Sequence, residues 1–171
     1  PNTGYYLKTI EVDGTSVNIK DYWDNYKFTN ITSNHHIKVI YAKIPTLTIV
    51  KKIDKNDLVW DKGYPYFSFK ISGTDYLGNS VTLYKVIKFS ESDANTKEIS
   101  FKITAGTYSI KELPTNEWEL NKVENISNCS ISNLTVSCDL RDKDSAKCRF
   151  TNEFVDYSDY SENDDKVNKL K

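Results

Sequence analysis

Several runs of this chain alternate apolar with polar residues as strands do, and three of them place one polar side chain on the otherwise apolar face. Successive side chains on a strand point to opposite faces of the sheet, so residues two apart share a face. Each of these faces is predicted to lie in a core, yet each includes an amine, a carboxyl or an amide. The three sets are Leu47, Ile49, Lys51 and Ile53; Tyr108, Ile110 and Glu112; and Phe150, Asn152 and Phe154.

A lone lysine or glutamate in an apolar interior is costly unless it meets a partner. Mutual contact among Lys51, Glu112 and Asn152 would satisfy all three at once. An amine, a carboxamide and a nearby carboxyl are also the groups needed to form an amide bond between two side chains. The alternative is that each is satisfied separately: Lys51 bends outward, Glu112 caps the turn that follows it, and Asn152 bonds to the backbone.

The stretch from Leu47 to Phe154 resembles the SpaA/Cna type B (prealbumin-like) modules of pilins and adhesins of Gram-positive bacteria. Four segments with the order and rough spacing of that family carry the resemblance. They are Leu47-Thr48-Ile49-Val50-Lys51-Lys52, Tyr66-Phe67-Ser68-Phe69-Lys70-Ile71, Ala105-Gly106-Thr107-Tyr108-Ser109-Ile110-Lys111-Glu112-Leu113-Pro114 and Phe150-Thr151-Asn152-Glu153-Phe154.

The resemblance implies a function for each of the three polar residues. In family members a lysine of the first strand and an asparagine of the last strand form an isopeptide bond, and an acid acts as proton shuttle. These positions fall on Lys51, Asn152 and Glu112. The alternation independently favours Lys51 over Lys52, because Lys52 shares a face with Thr48 and Val50 and is expected nearer to solvent.

The fold class predicted from composition and pattern is all-β. The chain of 171 residues contains 12 tyrosines, and short strand-like runs are separated by turn signals. For residues 45–154 we predict an Ig-like or prealbumin-like antiparallel β-sandwich. Residues 155–171 are acidic and polar at their start and are interpreted as a linker to another module, within a longer protein.

Residues 1–44 are predicted to form a separate small β unit. Four short strands are expected, with Asp13-Gly14 as a hairpin turn, and the segment Gly4–Val39 resembles part of an internalin-type B repeat. The proline in Lys43-Ile44-Pro45-Thr46 marks the predicted junction with the sandwich. The expected strands are Tyr6–Val12, Thr15–Ile19, Tyr26–Phe28 and His36–Ala42.

The three cysteines lack the paired spacing of a zinc site. Cys129 and Cys138 flank a turn near Ser132-Asn133 and would face each other across a hairpin, so a disulfide is one interpretation in an exported protein. The other is that all three are free, small core side chains. Cys148 shares a face with Phe150 and is expected to be buried and inert.

Charge and motifs exclude several function classes. The 23 basic and 24 acidic side chains are intermixed and give a net charge of −1, which argues against nucleic acid and against an anionic membrane surface. No apolar run is long enough for a membrane span. The adjacent His35 and His36 would face opposite ways on a strand, so no metal site is expected, and no cofactor motif occurs.

Three functions agree with these observations. The first is a structural stalk module of an adhesin or pilin at the bacterial cell surface, non-enzymatic apart from one self-crosslinking event, whose partners are neighbouring modules of the same protein. The second is a ligand-binding adhesin domain that recognises host matrix protein or glycan through loops such as Thr74–Asn79 or Asp139–Ser145. The third is an accessory β domain of a secreted enzyme. Fold alone does not separate them.

Overall fold

The computed structural model describes residues 2–22, 24–54 and 64–155. The predicted tail therefore lies outside the described residues from position 156 onward. Within the described ranges the chain forms three sheets and one short helix, α1 (Ile19–Tyr22). The strands are β1 (Tyr5–Val12), β2 (Thr15–Val17), β3 (Ile37–Lys43), β4 (Thr46–Ile53), β5 (Tyr66–Asp75), β6 (Ser80–Lys88), β7 (Thr96–Lys102), β8 (Gly106–Glu112), β9 (Trp118–Ser127), β10 (Cys129–Ser132), β11 (Thr135–Asp139) and β12 (Ser145–Phe154).

Two of the sheets form the predicted sandwich. One has the strand order β10-β11-β8-β5-β6 and the other the order β7-β4-β12-β9. Alternate residues of each strand point inward, where they build one apolar cluster between the sheets. Phe67, Phe69 and Ile71 of β5 are all completely buried, as are Leu47 and Ile49 of β4. The predicted all-β fold class is therefore confirmed.

One pairing inside the sandwich is parallel. β4 and β12 lie side by side in the same direction at the centre of their sheet, with Lys51 opposite Phe150 and Asn152 opposite Ile53. The neighbours of this pair, β7 and β9, run antiparallel to it. A parallel pair requires a long crossover connection, and here the connection consists of the remaining strands of the sandwich.

The strands β1, β2 and β3 form the third sheet, in the order β2-β1-β3. Its hairpin turns at Asp13-Gly14, where both residues have positive φ, 51° and 80°. Glycine adopts this conformation without steric cost, which explains the strong turn signal of the pair. The sheet lies next to the sandwich in the chain, and β3 continues into β4 after Ile44-Pro45.

The predicted strand Tyr26–Phe28 is wrong. These residues are irregular and do not join the sheet: the rings of Tyr26 and Phe28 meet edge to face, and the Phe28 ring stacks on His35. Aromatic residues favour strands only where a pleated neighbour is available to pack against. The predicted strand Thr15–Ile19 ends at Val17, because Ile19 begins α1.

The segment between β9 and β12 adds two strands to the edge of the five-stranded sheet. β10 and β11 form a hairpin that pairs Cys129 with Cys138 and Ile131 with Val136, and β11 then pairs with β8. The two central turn residues, Asn133 and Leu134, have φ of 46° and 57°. Positive φ is costly for leucine, so contacts elsewhere in the hairpin must hold this turn.

Candidate functional site

The candidate site lies between the two sheets at one end of the sandwich. Lys51 and Asn152 come from the adjacent parallel strands β4 and β12, and Glu112 comes from the end of β8 in the opposite sheet. Each side chain points inward because of the strand alternation that places Ile49, Ile110 and Phe150 in the core. The structure therefore brings together the three residues singled out by the sequence pattern.

The contacts among the three side chains form a closed triangle. The Lys51 amine donates hydrogen bonds to Glu112 Oε2, at 2.9 Å, and to Asn152 Oδ1. The Asn152 amide nitrogen donates to the other carboxyl oxygen, Glu112 Oε1, at 2.6 Å. One carboxyl group thus contacts the amine with one oxygen and the amide nitrogen with the other.

The triangle is shielded from solvent. Lys51 is 0% exposed and Asn152 2%, and the side chain of Glu112 is 3% exposed. Within the part of the chain that the structure describes, Lys51 and Asn152 are the polar or charged residues classed as buried. Such burial is energetically unfavourable for isolated polar groups, and it is tolerated here because each group contacts the other two.

Aromatic rings line the site. The Lys51 Nζ atom lies 4.2 Å from the centre of the Phe67 ring, and the Phe69 and Phe150 rings pack at 5.1 Å. Sequence reasoning did not single out Phe67 as part of the site. Its inward position follows from the alternation of β5, but the sequence gives no signal that this ring faces Lys51 across the core.

Burial changes the proton affinity of both titratable groups. It lowers the pKa of the Lys51 amine to about 8, although the neighbouring Glu112 carboxyl opposes the change. Burial also raises the pKa of Glu112, with Lys51 and Asn152 opposing. Although the Lys51–Glu112 contact has the geometry of an ion pair, desolvation is the largest influence on both groups and moves both toward their uncharged forms.

This arrangement has the elements of an acyl transfer. An uncharged amine is a nucleophile, and it lies against the carboxamide it would attack. A protonated carboxyl can give up a proton through one oxygen and accept one through the other, and each Glu112 oxygen contacts one of the two nitrogens. The lowering of the Lys51 pKa to about 8 makes the uncharged, nucleophilic amine easier to reach near neutral pH than it is in an exposed lysine.

The cysteines lie away from this triangle of contacts. Cys129 and Cys138 are joined by a disulfide across the β10–β11 hairpin, with their Cα atoms 4.3 Å apart. Cys148 is free and fully buried, and burial raises the pKa of its thiol to about 12. An un-ionised, enclosed thiol is a poor nucleophile, so Cys148 acts as a core side chain.

Other candidate sites receive no support from the described ranges. His35 and the backbone of His36 both bind Asp13, at 2.7 Å each, which fastens the loop before β3 to the hairpin turn. Residues 2–22, 24–54 and 64–155 contain no cluster of His, Cys, Asp and Glu suited to a metal ion. They also contain no helix with the length and apolar character needed to cross a membrane.

Comparison with known proteins gives distant structural similarity only. No protein-family model matches the chain, and no curated protein matches it. A pilus-presented adhesin is 15% identical with a TM-score of 0.39, over 66% of this chain and 28% of that one. A bacterial adhesin from Mobiluncus mulieris containing intramolecular disulfide, isopeptide and ester bond cross-links is 12% identical with a TM-score of 0.36, over 74% of this chain and 46% of that one. The chain thus spans less than half of each, and similarity at this level carries no functional assignment.

Proposed function

We propose that this chain is a structural module of a bacterial cell-surface adhesin or pilin, and that an isopeptide bond between Lys51 and Asn152 crosslinks the first and last strands of its sandwich. The observation that carries the proposal is the buried triangle of amine, carboxyl and carboxamide described above. An ordinary buried ion pair needs only the lysine and the glutamate. The carboxamide held against the amine is what a crosslinking reaction needs in addition.

The reaction proceeds without a cofactor. The lone pair of Lys51 Nζ attacks Asn152 Cγ while the two oxygens of the Glu112 carboxyl remain in contact with Nζ and with Asn152 Nδ2. Glu112 then takes a proton from Nζ through one oxygen and gives one to Asn152 Nδ2 through the other. The Cγ–Nδ2 bond breaks, ammonia leaves, and Nζ is joined to Cγ. Fixed neighbours supply the high effective concentration that the reaction requires.

The bond forms once per chain, so it is a maturation step rather than catalytic turnover. Lys51 and Asn152 are 101 positions apart. By analogy with a disulfide that closes a loop of this size, the bond would add about 4–5 kcal/mol to the free energy of unfolding. This is a large share of the total stability of a typical small domain.

The position of the bond suits a module that bears tension. The chain enters the sandwich at Thr46, at the start of β4, and leaves it at Phe154, at the end of the parallel neighbour β12. With Lys51 joined to Asn152, force applied to the two ends passes along β4, across the bond and out through β12. All the strands between them then carry no load, as a stalk segment requires.

The test of this function is to pull single molecules by their two ends. The chain between Lys51 and Asn152 corresponds to roughly 330–360 Å of extended length. We expect the native protein never to release this length at forces that unfold ordinary β domains. The variant Lys51→Met, which keeps the bulk of the side chain but lacks the amine, is expected to release it in one step. Release of the full length by the native protein would refute the proposal.

The alternatives are less well supported. The loops proposed for host-ligand recognition include Tyr76 and Arg141, and both residues contact Tyr6 of the N-terminal sheet. These loop residues are therefore engaged by the chain itself. No observation on the described residues favours an accessory enzyme domain, so neither alternative is proposed as a second function.

A further inference from the structure

We infer that the N-terminal sheet is docked rigidly on one end of the sandwich, through an interface centred on Tyr6, rather than tethered by a flexible linker. The inference concerns β1–β3 and the two sandwich loops that they contact. It does not depend on the proposed isopeptide bond, because none of the residues involved touches Lys51, Glu112 or Asn152 in the contacts described above.

Hydrogen bonds hold the two residues that connect the N-terminal sheet to the sandwich. The amide of Ile44 donates to the carbonyl of Gly4, just before β1, at 2.8 Å. The carbonyl of Ile44 accepts from the Lys102 amine at 3.0 Å. The next carbonyl, of Pro45, accepts from Ile103 at 3.1 Å. Proline also has a fixed φ and no amide hydrogen. Ile44 is thus hydrogen-bonded to both parts and Pro45 to the sandwich, unlike the residues of a free linker.

Tyr6 forms the centre of the interface. It is 8% exposed although it lies near the start of β1, the central strand of a sheet of only three strands. Its ring packs against that of Tyr76, with centroids 4.7 Å apart, and its hydroxyl donates to the Arg141 carbonyl at 3.0 Å. One side chain of β1 therefore contacts both the β5–β6 turn and the β11–β12 loop of the sandwich.

Charged residues surround this contact. The Lys8 amine lies 2.7 Å from the Asp142 carboxylate, in the same β11–β12 loop. The Lys20 amine approaches the β5–β6 turn so closely that a Cβ atom added to Gly78 would stand 3.0 Å from it. An apolar aromatic centre with a polar, charged rim is the usual composition of a specific protein interface.

The receiving loops are held in place by their own hydrogen bonds. Asp75 Oδ1 accepts from the amides of Leu77, at 2.9 Å, and Asn79, at 2.8 Å. Asp139 Oδ1 accepts from the amide of Arg141 at 3.1 Å. Preformed loops lose little conformational freedom when a partner docks on them. The N-terminal sheet thus docks on a surface that is already ordered.

The experiment compares the orientation of the two parts in solution, by residual dipolar couplings of backbone amides. In the native protein, couplings from β1–β3 and from the sandwich should fit one alignment tensor with the orientation seen in the structure. In Tyr6→Ala they should require two tensors. Loss of the ring packing and of one hydrogen bond should also raise amide exchange in β1 and β3 by roughly tenfold.

Tyr5→Ala is the matched control, because Tyr5 is the adjacent residue of the same type and is 42% exposed. It should retain one tensor and native exchange rates. If Tyr6→Ala instead unfolds β1–β3 while the sandwich stays protected, docking is required for the sheet to fold, which also supports the inference. Two tensors in the native protein, or equal effects of Tyr5→Ala and Tyr6→Ala, would overturn it.

Discussion

A fully buried lysine is unusual because the ammonium group loses hydration that few protein partners can replace. Lys51 has one carboxyl and one carboxamide oxygen within hydrogen-bonding reach and the Phe67 ring beside it. These neighbours suit an amine that is at times uncharged. The same features that make the position unfavourable for a charged lysine therefore make it favourable for a nucleophilic one.

The pH dependence of the reaction follows from the pKa shifts. Lys51 and Glu112 titrate as a coupled pair and hold one proton between them over an intermediate pH range. The reactive state, an uncharged Lys51 amine beside a protonated Glu112 carboxyl, forms only in this range, when the proton lies on Glu112. We expect the crosslinking rate to level off in this range. Above the lowered Lys51 pKa of about 8 the pair loses its last proton, so Glu112 no longer acts as an acid and the crosslinking rate falls. Below the raised Glu112 pKa both groups are protonated, so the amine stays charged and the rate falls again.

This profile can be measured on chain purified in denaturant and refolded in buffers of different pH. The reaction is quenched at intervals, and the fraction that has lost ammonia is read by mass spectrometry. A rate that rises continuously with pH to the range of free lysine, near 10.5, would contradict the account. That result would mean that burial does not lower the pKa of Lys51 and that Glu112 takes no part.

At the level of single elements, the alternation of apolar and polar residues predicted the structure better than the strand propensity of individual residues did. Because burial on one face is a strong constraint, it placed Lys51, Glu112 and Asn152 on inward faces of β4, β8 and β12 from local sequence alone. Propensity failed at Tyr26–Phe28, where aromatic residues pack on one another outside any sheet. The parallel pairing of β4 with β12 could not be predicted from the residues, since both orientations produce the same inward faces.

In the β10–β11 hairpin, a covalent bond joins two strands within one element. The disulfide spans 9 positions and closes a hairpin whose turn includes Leu134 at positive φ. For a loop of this length the bond is worth about 2–3 kcal/mol. We expect Cys129→Ala, at the less buried of the two positions, to lower the free energy of unfolding by about this amount in denaturant titration.

The same variant separates the two covalent bonds. β10 contributes no residue to the Lys51 site, so Cys129→Ala should still lose one ammonia on folding. As a control, reducing the native protein should reproduce the stability loss of the variant, while reducing Cys129→Ala should change nothing further. Equal stability of the native protein and the variant would contradict the assigned role of the disulfide, and loss of crosslinking in the variant would contradict its independence.

At the scale of the whole molecule, the junction with the N-terminal sheet and the Lys51 site lie on one continuous stretch of chain. β3 runs through a fully bonded Ile44-Pro45 junction into β4, and β4 is the strand that carries Lys51. Force applied to the N-terminal sheet would therefore reach the proposed bond within a few residues. A docked sheet resists bending at the junction, and a crosslinked sandwich resists extension beyond it.

The most direct test of the central claim is the intact mass of the folded, reduced protein. The account predicts a mass lower than that calculated from the sequence by one ammonia molecule, and a peptide map in which Lys51 and Asn152 occur in one linked fragment. Glu112→Gln, which keeps the shape of the shuttle but cannot ionise, should show the full mass. Lys52→Ala, at the exposed neighbouring position, should show the same loss as the native protein. The full calculated mass for the native folded protein would contradict the claim.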